Sequence, residues 1–214
     1  MATWMVHLRI AQRFLKYFDK THGDEFIVGN LAPDCGYGKK DGFDGFVPPS
    51  NITHWTKTGK KTDVDLDSFF DEYMKDKDLL SDGAFYLGYY IHLMTDIKWG
   101  SEIYSPMKEK YKAEYVKNPQ YLLVIKRDWN DIDYEFYKSN PNFEAFLRLE
   151  KMGNIKDYLP YYETGQLSKQ CRFIVDYYKN HPFVDTDREY LYLTREREDR
   201  FIDEMEKIVK DKFF

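Results

Sequence analysis

Residues 83–99, Gly-Ala-Phe-Tyr-Leu-Gly-Tyr-Tyr-Ile-His-Leu-Met-Thr-Asp-Ile-Lys-Trp, are apolar almost without regard to helical phase. A helix of that kind has no face to give to water, so other elements must cover it on several sides. The stretch therefore predicts a helix at the centre of a packed domain. It also carries His92 and Asp96, four residues apart and so on one face. An imidazole and a carboxylate on an otherwise apolar helix are costly to bury unless they pair or bind a metal. Gly88 lies one turn before His92, where the missing side chain lets another backbone or a ligand come close.

Helical periodicity dominates the rest of the chain. Over residues 4–19, Leu8, Ala11, Leu15 and Phe18 recur at three- and four-residue spacing, and His7 lines up with Ile10 and Phe14. Residues 66–74 read as an amphipathic helix with Phe69, Phe70 and Tyr73, and further helices are predicted at 103–115, 119–138, 141–151, 164–180 and 186–212, the last capped at Asp185-Thr186. His22-Gly23 reads as a turn, followed by a short apolar segment over 26–34 that ends in turn residues. Residues 35–63 are rich in Gly, Pro, Asp and Lys, and a loop of that length usually covers a functional site or moves. With strand signals scarce and no internal repeat, the expected architecture is all-α: a single-domain helical bundle over 1–214 with a long Gly/Pro-rich loop.

Composition narrows the function. Aromatic residues make up 18% of the chain, enough ring area for a large core. A net charge of −5 argues against a duplex nucleic-acid reader. No apolar run reaches membrane-spanning length. Arg9 and Arg13 interrupt the first apolar stretch, which argues against a signal peptide, and two cysteines, Cys35 and Cys171, suit a reducing, cytoplasmic setting.

Three of the five histidines, His7, His54 and His92, stand in apolar or motif-like surroundings, and Asp34 closes Asn30-Leu31-Ala32-Pro33-Asp34 just before the long loop. Neutral imidazoles with carboxylates form the mixed nitrogen and oxygen set that suits zinc. A His–Asp hydrogen bond inside the core accounts for His92 and Asp96 equally well. His22 is expected to be exposed and His181, before Pro182, to sit at a helix end. Cys35 is expected to pack the loop rather than bind metal. Lys39-Lys40 and Lys60-Lys61 are expected to be solvated loop charge.

The ordered set of a helical His7, Leu31-Ala32-Pro33-Asp34, Thr53-His54-Trp55 and Tyr86-Leu87-Gly88 with His92 and Asp96 resembles the zinc-dependent phospholipase C family, whose all-helical fold is shared with single-strand-specific zinc nucleases. The resemblance covers the first half of the chain. It implies one zinc held by Asp34, His54, His92 and Asp96, and a second that takes His7 and shares Asp96. It also implies that Asp34 orients or deprotonates the attacking water. Two departures stand out. The family uses the backbone of an N-terminal Trp as a ligand, whereas Trp4 here follows Met-Ala-Thr. Family ligands for a third metal are missing, with Glu102 six residues after Asp96 and Asp128, Asp131 and Glu135 as partial oxygen replacements. One or two zinc ions are expected rather than three. The implied activity is hydrolysis of a small-molecule or lipid phosphate ester, a phosphodiesterase among them. The alternative is a non-enzymatic helical protein with a structural or ligand-binding metal site.

Overall fold

The computed structural model describes residues 1–38, 45–59, 63–181 and 188–214. Eleven α-helices carry these parts of the chain: α1 (Trp4–Phe14), α2 (Lys20–Leu31), α3 (Ser50–Thr53), α4 (Leu66–Tyr73), α5 (Ala84–Trp99), α6 (Ser105–Lys110), α7 (Lys112–Lys117), α8 (Tyr121–Ser139), α9 (Glu144–Lys151), α10 (Gln166–Lys179) and α11 (Arg195–Phe213). The strands β1 (Tyr37–Gly38) and β2 (Phe46–Val47) pair antiparallel with Tyr37 opposite Val47. The molecule is thus all-α, as the periodicity predicts.

Helix α5 is the predicted 83–99 segment, and its burial explains its composition. Phe85, Leu87, Tyr89, Ile91, Leu93 and Trp99 are fully buried although they point to every side. Helix α2 runs along one side of α5, with α4 against another part of it. At the far end, Trp99 meets Trp129 of α8 and Phe201 of α11 edge to face, with ring centroids 5.3 and 5.1 Å apart. Edge-to-face packing suits the positive ring rim against the negative face. A π-helical stretch, Gly100–Tyr104, carries α5 on into α6. Helix α1 starts where Thr3 Oγ1 accepts the Val6 N–H, an N-cap, and it is tied to α11 by Arg9 to Glu198 at 2.8 Å and Arg13 to Asp203 at 2.9 Å.

Several local expectations need correction. The His22-Gly23 turn and the short 26–34 segment are one helix, α2, capped by Asp19, whose carboxylate accepts the His22 N–H. Phe26, Ile27, Val28 and Leu31 are all buried, so no polar face marks its period. The first helix ends at Phe14 and continues as a 3₁₀ turn, Leu15–Tyr17. The last helix starts at Arg195 rather than at 186, because Thr194 provides the cap by accepting the Arg197 N–H. Asp185 and Thr186 lie outside the described residues, as do Lys39, Lys40, Lys60 and Lys61.

Candidate metal centre

Four separate segments bring the five sequence-predicted residues together. His7 comes from α1, Asp34 from the 3₁₀ turn Ala32–Asp34 that follows α2, His54 from the end of α3, and His92 and Asp96 from α5. All but Asp34, which is partly covered, are buried. Local anchors hold the irregular segments. Tyr162 donates to the Ala32 carbonyl at 2.5 Å, Gln166 donates to the Cys35 carbonyl at 2.9 Å and to the Val47 carbonyl at 2.7 Å, and Tyr89 donates to the Thr53 carbonyl. The Gly/Pro-rich region is therefore pinned on both sides of Asp34 and next to His54.

The distances describe one compact cluster. Asp34 Oδ1 lies 3.2 Å from His54 Nε2 and 4.0 Å from His92 Nε2. Asp96 Oδ2 lies 3.6 Å from His54 Nε2 and 3.7 Å from His92 Nε2, while its Oδ1 is 3.7 Å from His7 Nε2 and accepts the Ala2 backbone N–H at 3.0 Å. The His7 and His92 rings stack, with centroids 3.7 Å apart and planes 8° from parallel. Two overlapping sets, His7–His92–Asp96 and Asp34–His54–His92, each bring three donor atoms within 4.8 Å of one another. His92 belongs to both, and Asp96 reaches all three imidazoles.

A hydrogen bond decides which His92 nitrogen faces inward. His92 Nδ1 lies 2.8 Å from the Asn30 carbonyl, which can only accept, so Nδ1 carries the proton. His54 Nδ1 lies 3.0 Å from the Thr53 hydroxyl and 3.2 Å from the Ser50 carbonyl, so its ring is held from the outer side as well. In His92, Nε2 is then left with a lone pair aimed at carboxylate oxygens. Burial, helped by the His7 ring, pushes His92 well below the usual imidazole value despite the two carboxylates nearby, so it is neutral near pH 7. Burial works against an ionised Asp34, yet the hydrogen-bond contact with His54 holds its carboxyl below the usual range. Buried lone pairs facing one another without a proton between them repel unless a cation sits among them. His92 Nε2 and both nitrogens of His7 have no hydrogen-bond partner among the described residues. His92, with an inward nitrogen free and its outer nitrogen held by a carbonyl, has the arrangement that divalent-metal ligation requires. The donor set fits zinc.

The oxygen residues considered for a third metal are engaged elsewhere. Asp128 and Asp131 are buried and receive Arg188, with Arg188 Nη1 2.6 Å from Asp128 Oδ1. Glu135 receives Arg195, and Glu102 receives Lys98 and, at 3.3 Å, Arg197. Each carboxylate already has its counter-charge. His22 is partly exposed and bonds Asp19, and His181 packs its ring against Tyr134 and Tyr177, so both stand apart from the cluster. Cys35 is buried beside Cys171, and that thiol contact, with burial, raises its pKa, which suits a packing residue rather than a thiolate ligand. Sequence reasoning missed Asn30, whose carbonyl sets the His92 tautomer, Ser50, whose carbonyl contacts the His54 ring, and Asp133. Backbone carbonyls leave no residue-type signal, and Asn30 alone lay inside a noted motif.

A cavity of about 600 Å³ opens onto the cluster through Asp34 and His54 and is lined by Trp4, Phe173 and Tyr177 among others. No helix of the described residues is long and apolar enough to cross a membrane. A family model described as zinc dependent phospholipase C matches residues 6–148, a span that contains all five cluster residues. No curated protein and no solved structure matches the chain. The chain belongs to the zinc-dependent phospholipase C family.

Proposed function

We propose that this member of the zinc-dependent phospholipase C family hydrolyses phosphate esters, lipid phosphodiesters first among them, with one or two zinc ions held by His7, Asp34, His54, His92 and Asp96. The observation that carries the reading is the convergence of three buried imidazoles, two of them with the outer nitrogen hydrogen-bonded to a carbonyl, on Asp34 and Asp96. Zinc bound there would polarise phosphoryl oxygens and lower the pKa of the attacking water. The chain's own contribution is positional. Asp34 borders both the cluster and the cavity, so it is the carboxylate placed to accept a hydrogen bond from water at the substrate. A carboxyl held below its usual range is a weak base, and Asp34 therefore orients that water more than it takes its proton. The apolar walls of the cavity exclude bulk water and seat the organic part of the ester.

Metal content and activity test the reading together. Purified protein is expected to carry one or two zinc ions by elemental analysis and to release phosphate or a phosphomonoester from a panel of phosphate esters. Asp96→Asn removes a charge that faces all three imidazoles and is expected to lose more metal than His7→Ala, with activity falling sharply in both. His181→Ala is expected to keep both. Full metal content in Asp96→Asn, or losses in His181→Ala equal to those of His92→Ala, would overturn the ligand assignment. Bound metal with no ester hydrolysed would leave a structural site in a non-enzymatic protein.

A further inference from the structure

The cavity extends well beyond Asp34 and His54, along α8 and α10. On α8, Lys126, Trp129, Asn130 and Asp133 all line it, at the three- and four-residue spacing that makes one helix face. Lys126 and Asp133 are two turns apart, so roughly 10 Å of wall separates their positions on the axis. Gln170 of α10 lines the cavity as well. Charge on this wall is unevenly satisfied. The acidic residues among the described lining are Asp34 and Asp133, and both are committed. Asp34 faces the imidazoles, while Asp133 accepts from Thr3 Oγ1 at 2.7 Å and from the Tyr178 hydroxyl at 2.9 Å.

Lys126 differs. It is the one Lys or Arg among the described lining residues, is half-buried, and makes no ion pair or side-chain hydrogen bond with any described residue. The side chains of Asn130 and Gln170 likewise have no hydrogen-bond partner among the described residues. A half-buried ammonium without a counter-charge, on a wall that also carries two amides with unused N–H donors, is completed by an anion. A cationic group on the same wall would meet like charge, which disfavours it.

We propose that Lys126, supported by Asn130 and Gln170, selects phosphate esters that carry a further negative charge on the group attached to the scissile phosphate. The inference rests on the phosphoesterase reading and adds a substrate class to it: anionic rather than cationic head groups. The shared chemistry is a carboxylate or a second phosphate.

Calorimetric titration of the full zinc-loaded chain tests this with four probes: phosphoglycolate (carboxylate), 1,3-propanediol bisphosphate (second phosphate), glycerol phosphate (neutral) and phosphocholine (cationic). Both anionic probes are expected to bind about tenfold tighter than glycerol phosphate, as a charge-assisted hydrogen bond permits, and phosphocholine weakest. The stronger of the two anionic probes identifies the source of the charge. Lys126→Gln is expected to bring the anionic probes level with glycerol phosphate while leaving glycerol phosphate itself unchanged. Lys126→Glu is expected to reverse the order in favour of phosphocholine. Phosphocholine ranked first by the wild-type protein, or equal weakening of all four probes by Lys126→Gln, would overturn the proposal. Hydrolysis of dihexanoyl phosphatidylserine and phosphatidylcholine, followed in parallel, separates the two readings. No hydrolysis of either ester counts against the enzymatic function, while the binding order still decides the role of Lys126.

Discussion

Asp133 has both carboxyl oxygens occupied by hydroxyl donors, from Thr3 and Tyr178, and Tyr178 in turn accepts the Met5 N–H at 3.1 Å. The network secures the start of α1, and with it His7. Burial pushes the Asp133 pKa up to about 7, while Thr3, Tyr178 and the Arg9 charge pull it back. In the unfolded chain the same group ionises near 3.8. Between these values the unfolded state gives up a proton that the folded state keeps, so stability falls as pH rises through the window. At roughly 1.4 kcal/mol per pH unit, the ceiling is on the order of 4 kcal/mol. Asp133→Asn removes the titration but keeps an acceptor oxygen, so it is expected to gain on the wild type steadily from about pH 4 to pH 7. Urea unfolding of both proteins across that range measures the difference, in which groups that titrate alike in both proteins cancel. A difference that stays constant with pH would mean that Asp133 is ionised in the fold.

The contact between α2 and α5 depends on two glycines that face each other's helices. A Cβ on Gly29 would lie 2.0 Å from the Phe85 carbonyl oxygen, and one on Gly88 would lie 2.3 Å from that of Phe26. Backbone meets backbone, and no rotamer can relieve it. Across this same contact His92 donates to the Asn30 carbonyl. The helices must therefore stay close for the ring to keep its inward nitrogen. Gly88→Ala gains up to about 1 kcal/mol of helix propensity, yet it is expected to lose about 1–3 kcal/mol net through overpacking. It is also expected to weaken zinc binding, because separating the helices frees the His92 ring. Gly153→Ala, where an added Cβ meets nothing within 4 Å, is the control. Unfolding midpoints and chelator-competition affinities check both effects, and a Gly88→Ala protein as stable as the control would refute the close-packing argument. Gly88 was marked in the sequence as a point of close approach. Its partner Gly29 was not, because α2 is buried on so many sides that its period is hidden.

For the whole molecule, the cluster cross-links α1, the turn after α2, α3 and α5. Metal that binds only this assembled state stabilises it by mass action, by about 2.7 kcal/mol at a free concentration one hundred times Kd. Chelation is expected to lower the thermal midpoint, and added zinc to restore it in proportion to the logarithm of its concentration. Acidification is expected to release metal as the imidazoles protonate. A midpoint indifferent to both chelator and zinc would show that the His and Asp residues hold the fold through their own hydrogen bonds.

Local patterning made the helices legible, α5 above all, because a helix apolar on every side has one place to go. The order of His7, Asp34, His54, His92 and Asp96 along the chain was legible too, and through it the family. The positions of those residues in space were not, since spacing along a chain reports neighbours within a few turns and nothing about contacts between distant segments. Tertiary structure alone closed the cluster and set the His92 tautomer through the carbonyl of Asn30. It also matched Asp128 and Asp131 with Arg188, and Glu135 with Arg195, which removed them from any metal site. The physical reason is common to all of these. A buried charge takes whichever opposite charge the packing brings within reach, and the packing depends on the shapes of helices that meet far apart in sequence.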